Sequence, residues 1–329
     1  MWIVSGLFVA ILLAALIYLA CQKGHFQVRR SLEIDVPVES VFAAVLDFKT
    51  WPHWSPWLLH EPETSLDFSE NWQAEGGYYS WDGKVVGAGK VTHIEIQAGR
   101  AIHQQIAFRR PFKAENQIYW KFENRDGHSL VSWEMSGKMP FLFRSMAGRM
   151  ESMISRDFEL GLALLGGYLN DSTAHPVLEF IGEEELQDFS YWAIPCNGNL
   201  RQIEAARGSS IGRLRSSAAT RIGLSLMLYH QFDPLGTHFQ TEIAIPIGNN
   251  APLSNYQQHS FNGGLYLKMT LRGDLKFLPL AWYALATHCR MHKIKTESTR
   301  PALEIYQVDP GESAFGNQTG TTLYLPIRK

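Results

Sequence analysis

Cysteine is scarce: Cys21, Cys196 and Cys289 are the only three in 329 residues, and no two form a Cys-x-x-Cys pair. That spacing excludes a disulfide scaffold and a thiolate zinc site. Clustered positive charge is missing as well. Thirty Lys and Arg face 32 Asp and Glu, the net charge is −2, and no long basic run occurs. A surface that follows nucleic-acid phosphates depends on clustered cations, so no nucleic acid is expected as a partner. No Walker phosphate loop is present, and Gly87-x-Gly89 lacks a third glycine and a following helix, so it reads as a strand bulge. His288, Cys289 and His292 would put two imidazoles on one helical face without a third ligand or adjacent Glu; no metal and no cofactor are expected.

The N-terminal stretch is both uncharged and strongly apolar. Trp2 to Cys21 contains no charged residue and is dominated by Leu, Ile, Val, Ala and Phe. About 20 residues rising roughly 1.5 Å each cover about 30 Å, the depth of a bilayer's hydrocarbon layer. Trp2 and Tyr18 lie near the two ends, where amphipathic rings favour the interface. A cleaved signal peptide would carry a basic start and a shorter apolar run, and Tyr18-Leu19-Ala20 before Cys21 is a poor lipoprotein box. Residues 1–24 are therefore expected to be a retained transmembrane anchor, with residues 2–21 in the membrane. Lys23, Arg29 and Arg30 follow it. The positive-inside tendency then predicts a single-pass protein of the inner (cytoplasmic) membrane with its soluble part in the cytoplasm.

Residues 27–170 read as one α+β domain. Leu32, Ile34 and Val36 alternate with charged residues as a half-buried strand does, Pro37 ends it, and Val38 to Leu46 suits a short helix. Phe48 to Trp57 interleaves three tryptophans with two prolines, which predicts a rigid loop rather than a helix. Further strands place Ile102, Ile106 and Phe108 on one face, then Ile118, Trp120 and Phe122, then Val131, Trp133 and Met135. From Met146 the period changes. Met146, Met150, Ile154, Phe158, Leu162 and Leu165 form one stripe of a long amphipathic helix. A curved antiparallel sheet around that closing helix leaves a space between them, with Trp120, Trp133 and Met150 as candidate lining residues. Core packing accounts for the same aromatics equally well.

The Ile34-Asp35-Val36-Pro37 strand end, the Phe48-x-x-Trp51-x-x-Trp54-Ser55-Pro56-Trp57 loop, Trp81 ahead of Gly87-x-Gly89, and Asp157-Phe158-Glu159-x-Gly161-Leu162 carry a resemblance. The segment resembles the SRPBCC superfamily, the START-like and polyketide-cyclase-like helix-grip domains. The resemblance implies that fold and a ligand cavity, and leaves function open, because the fold hosts carriers, receptors and enzymes.

After the polar stretch Asn170 to Pro176, residues 176–329 contain a duplication. Gly198-Asn199-Leu200 recurs as Gly273-Asp274-Leu275, Tyr229 and Asp233-Pro234 as Tyr306 and Asp309-Pro310, and Thr241 to Ile247 as Thr321 to Ile327. Each half reads strand, helix, strand, strand, with helices near Ile203 to Thr220 and Leu278 to His292. Two such βαββ units predict one antiparallel sheet with both helices on one side and a groove near the pseudo-dyad. Met227 in the first half stands where the second carries Glu304, inside the apolar strand Leu303 to Ile305. A carboxylate there needs a cation or hydrogen-bond donors unless it turns to solvent. Tyr229, Tyr306 and Trp282 are candidate neighbours.

The duplication, Pro301-x-x-Glu304-Ile305-Tyr306 and the Thr-x-x-x-x-Pro-Ile pattern resemble the GyrI-like small-molecule-binding domains. The resemblance implies that Glu304 meets cationic or polar aromatic ligands, or, as in hydrolase members, that Glu304 and Tyr306 act as catalytic residues. No helix-turn-helix precedes the domain, so the regulator role of some members does not carry over. The expected function is membrane-anchored binding of small hydrophobic or cationic molecules in sensing, sequestration or transfer. A hydrolase in the GyrI-like groove and a non-binding scaffold are the alternatives.

Overall fold

A computed structural model describes residues 2–170, 175–199, 202–203, 205–207, 209–210, 226–231, 239–247, 256–306 and 320–328. The chain divides into two compact units, Met1–Asn170 and Asp171–Lys329.

The first unit begins with α1 (Trp2–Cys21), a 20-residue helix. Among the described residues no helix is long and apolar enough to cross a membrane, so the anchor is taken up below as a proposal. Seven antiparallel strands follow: β1 (His25–Ile34), β2 (Ser65–Phe68), β3 (Tyr78–Asp82), β4 (Ala88–Gln97), β5 (Ala101–Arg110), β6 (Ala114–Arg125) and β7 (His128–Lys138). Their order is β1-β7-β6-β5-β4-β3-β2. Pro37 stops β1 and serves as N-cap of α2 (Val38–Leu46), whose φ-restricted ring suits a helix start. Ala147–Leu169 is α3, the closing helix; Phe158, Leu162 and Leu165 bury one face of it. Gly161 is required there, since a Cβ would lie 2.7 Å from the Trp133 ring and 3.0 Å from Pro56.

Two expectations for this unit need adjusting. The Phe48–Trp57 segment is no continuous helix, but it is not wholly a loop either: Phe48–His53 forms a 3-10 helix with Pro52 inside it. Trp51 O accepts from the N–H groups of Trp54 and Ser55, which close the C-terminal end of this segment. Met146 does not join the buried stripe; it precedes α3, ends the 3-10 segment Phe141–Met146 and is 44% exposed. Gly87-x-Gly89 is a bulge, with a register shift between Ala88 and Gly89. The Trp81 ring covers Gly89 so closely that a Cβ would approach it to 2.4 Å.

Among its described residues the second unit contains an eight-stranded antiparallel sheet of β8 (Val177–Leu186), β9 (Phe189–Pro195), β10 (Leu226–Gln231), β11 (Gln240–Pro246), β12 (Gln258–Phe261), β13 (Gly264–Arg272), β14 (Ala302–Tyr306) and β15 (Gly320–Pro326). The order β12-β9-β11-β10-β14-β15-β13-β8 is symmetric about the β10–β14 pair. The repeat is thus visible in the topology, with one addition. Each half has a leading strand, β8 or β12, that pairs with the other half's strand, β13 or β9. The unit is ββαββ rather than βαββ. Its second helix is α4 (Leu278–His292), started by Pro279 and ended at Lys293 with φ 58°. Of the first-half helix expected over 203–220, residues 203, 205–207 and 209–210 are helical and the rest lie outside the described residues, as do the Asp-Pro pairs 233–234 and 309–310. One sheet face buries Tyr191, Leu226, Leu228, Phe261, Tyr266 and Leu303 in a common cluster.

Candidate ligand-binding sites

The sheet of the first unit curves around α3 and leaves a cavity of about 270 Å³. Its wall is almost wholly apolar: Trp51, Trp57, Tyr79, Trp81, Ile106 and Phe108 on one side, with Met150, Met153 and Ile154 of α3 on the other. The polar residues among its lining are Ser55, Asn116, Lys138 and Asp157, together with the Tyr79 phenol. Trp57 Nε1 donates to Asp157 Oδ2 at 3.1 Å, which fixes the aromatic loop to α3. Asn116 Oδ1 is buried without a hydrogen-bond partner. An acceptor at this position is available to a hydrogen-bond donor that enters the cavity.

Beside the cavity runs a buried polar chain. Trp120 Nε1 donates to Gln104 Oε1 at 3.0 Å, Gln104 Nε2 lies 3.3 Å from His93 Nδ1, and His93 Nε2 reaches Leu46 O at 3.1 Å. The chain is complete when His93 is neutral with its proton on Nε2. Burial lowers the His93 pKa to about 4, against a smaller opposing effect of its bond to Leu46 O. Between that value and the ordinary 6.5 the unfolded chain binds a proton that the folded one does not, so stability rises with pH across this window. The difference corresponds to about 3 kcal/mol lost on going from pH 7 to below 4. Thermal unfolding of wild type should therefore fall more steeply between pH 7 and 4 than that of His93→Gln. Parallel curves would show that His93 is not the group responsible.

In the second unit the pairs Met227–Glu304, Leu228–Leu303 and Tyr229–Ala302 define the β10–β14 register. Because Met227 and Glu304 are also repeat counterparts, this pair sits on the pseudo-dyad itself. Glu304 is fully buried. Its Oε1 accepts from Tyr229 Oη at 2.8 Å and from Trp282 Nε1 at 2.7 Å. Its Oε2 accepts from Tyr306 Oη and lies 3.5 Å from Arg207 Nη2. The Arg207 guanidinium, itself 3% exposed, stands 5.2 Å from the Tyr306 ring centroid. Burial first, and then the Glu304 charge, holds the Tyr229 phenol well above its ordinary range, so it is a hydrogen-bond donor and not a base at neutral pH. A second cavity of about 420 Å³ adjoins, lined by Tyr229, Cys289, Arg290, Glu297 and Arg300 among others.

With this geometry in place, comparison with known proteins identifies the first unit. The family model described as polyketide cyclase / dehydrase and lipid transport matches residues 25–169. Residues 25–169 are a polyketide cyclase-like domain. Solved structures similar to it include CalU16 from Micromonospora echinospora, 14% identical over 44% of this chain and 85% of that one, TM-score 0.32. A Thermobifida fusca protein is 21% identical over 43% of this chain and 92% of its own, TM-score 0.34. The Aha1 dimer from Colwellia psychrerythraea is 14% identical over 44% and 95%, TM-score 0.33. At such scores the assignment rests on the family model. No curated protein matches the chain.

Of the residues singled out in the sequence, Glu304, Tyr306, Tyr229 and Trp282 come together around one carboxylate. Arg207 joins them, and no sequence signal pointed to it. Glu304 turns inward, not to solvent, and Tyr229 beside it lines a described cavity. In the polyketide cyclase-like domain, Met150 lines the cavity as expected. Trp120 and Trp133 do not. They stack on each other at 4.4 Å, and Trp133 on Phe158 at 4.1 Å, in the core behind the wall. Trp51 and Trp57 of the Pro-rich segment take the lining places instead. His288 and His292 stack with ring centroids 4.0 Å apart. Gly208-Ser209-Ser210-Ile211-Gly212 matches a Gly-x-Ser-x-Gly nucleophile pattern, but residues 205–207 before it are helical, whereas an elbow needs a preceding strand.

Proposed function

We propose that the protein is a membrane-anchored binder of a small, mostly apolar molecule carrying one hydrogen-bonding group, held in the polyketide cyclase-like domain. The observation that carries this reading is the apolar cavity with an unpartnered Asn116 Oδ1 at its edge and Lys138 nearby. At about 30 Å³ per water-sized group, 270 Å³ accommodates roughly nine such groups, near the lower end of ligand cavities. Met135, Met139, Met150 and Met153 give the wall adaptable shape. The membrane anchor is supported by the 20-residue α1, which carries no charged residue and leaves Leu7 62%, Ile11 61% and Ile17 64% exposed. Such a face demands an apolar surrounding. Lys23, Arg29 and Arg30 after it favour a cytoplasmic position for both units. Medium-length alkanols and alkanoic acids should raise the melting temperature of the full-length protein in detergent, and Asn116→Leu should reduce that rise for the alkanols. An unchanged melting temperature with every compound would contradict ligand binding here.

The second unit, which we read as a GyrI-like domain, favours a cationic ligand. Arg207 supplies the supporting observation: a guanidinium already stands beside the Glu304 carboxylate and over the Tyr306 ring. An aromatic-walled carboxylate of this kind suits planar or alkylated cations. Hydrolysis is less well supported, because both Glu304 oxygens are engaged by the protein's own donors.

A further inference from the structure

The edge of the polyketide cyclase-like cavity is built from two segments that expose large apolar side chains. Pro111 and Phe112, in the turn between β5 and β6, and Met139 and Pro140, after β7, line the cavity. Directly beside them Phe112 is 50% exposed, Leu142 69% and Phe143 49%. The Phe112 and Phe143 rings stack across the gap at 6.4 Å, so the two segments form one rim. At the other end of the sheet the β6–β7 turn carries Arg125, Asp126 and His128 and no large exposed hydrophobic.

Two further observations say what covers the rim. Gly24, three residues beyond the end of α1, accepts a hydrogen bond from Met139 N at 3.0 Å. The rim is thereby held within a few residues of the point where the apolar helix ends. The rim segments also carry Arg109, Lys113, Lys138, Arg144 and Arg149 against Glu115 and Glu151. An apolar tip ringed by cations matches the acyl boundary and anionic headgroups of a membrane surface.

We propose that Phe112, Leu142 and Phe143 insert into the bilayer interface, so that the cavity opens onto lipid and takes its apolar molecule from the membrane. This rests on the anchoring by α1 proposed above. Insertion by the rim desolvates the cavity mouth and lets an apolar molecule pass between lipid and protein without crossing water.

The test uses the full-length protein with Cys21→Ser, carrying Leu142→Cys, Phe112→Cys or Arg125→Cys, each labelled with a polarity-sensitive fluorophore. The protein is reconstituted into phosphatidylcholine–phosphatidylglycerol vesicles. Flotation reports the anchor, and quenching by nitroxide-bearing lipids reports the depth of each label. Labels at 142 and 112 should be quenched by lipid nitroxides and blue-shifted, while that at 125 should stay in water. Flotation with all three labels in water would overturn the rim insertion and leave the anchor standing. Failure to float would overturn both. Replacing phosphatidylglycerol by phosphatidylcholine should reduce quenching at 142 several-fold; equal quenching would remove the role given to the cations.

Discussion

Glu304→Gln lowers the melting transition of the second unit by about 10 °C. The substitution keeps a carbonyl oxygen for the Tyr229 and Trp282 donors, but puts an NH2 where Oε2 accepts from Tyr306 and removes the negative charge 3.5 Å from Arg207, in a site where both side chains are at most 3% exposed. Breaking one partner of a buried ion pair costs about 3–5 kcal/mol, because the other charge is left uncompensated. For a unit of this size each kcal/mol moves the midpoint by about 2–4 °C. Arg207→Met alone should destabilise less, since three neutral donors still hold the carboxylate. The double variant should regain part of the loss, with a coupling of about 2 kcal/mol in the cycle. Additive losses would mean that the 3.5 Å contact carries no energy. The same variants test recognition: in Arg207→Ala an added alkylguanidinium should restore thermal stability, and in Glu304→Gln it should not.

Met150→Trp abolishes most ligand binding in the polyketide cyclase-like domain while leaving the fold intact. Met150 stands on α3 opposite Trp51 and Trp81 in the cavity wall, so a larger ring projects into the empty space rather than into packed core. A ligand forced to share that space meets overpacking worth about 1–3 kcal/mol, a loss of roughly tenfold to a hundredfold in affinity. The melting temperature of the unliganded protein should hold or rise, because filling a void regains dispersion contacts. Calorimetric titration with decanoate measures the first effect and thermal unfolding the second. Equal affinity in wild type and variant would place the ligand elsewhere.

Local features of the chain were readable because they depend on neighbours in sequence. Val38–Leu46 is α2, bounded by the proline that ends β1, and the stripe from Met150 to Leu165 is the inner face of α3. Gly87-x-Gly89 could be recognised as a bulge because it lacked the context of a phosphate loop. The duplication revealed more than local structure. It aligned Met227 with Glu304, and a mismatch in chemistry at matched positions marked the buried carboxylate that the structure places on the dyad. What stayed hidden depends on pairing between distant strands. His93 meets Gln104, and Gln104 meets Trp120, only through the β4–β5 and β5–β6 registers. Trp120 and Trp133 read equally well as wall or core, and their direct cross-strand pairing in β6–β7 decides for core. Glu61, whose carboxylate accepts from the backbone N–H groups of Lys84, Val85 and Val86, gave no signal because its partners lie more than twenty residues away. Arg207 was one cation among 30.

The central claim is that the polyketide cyclase-like cavity holds one small apolar molecule. Native mass spectrometry of the full-length protein, delipidated in detergent and offered an equimolar mixture of alkanoic acids, tests it most directly. With room for about nine water-sized groups, the protein should retain one acid per chain, with a maximum near eight to twelve carbons, and Met150→Trp should retain almost none. Retention that grows steadily with chain length, as partition into the micelle would give, or no retained acid at all, would contradict the account.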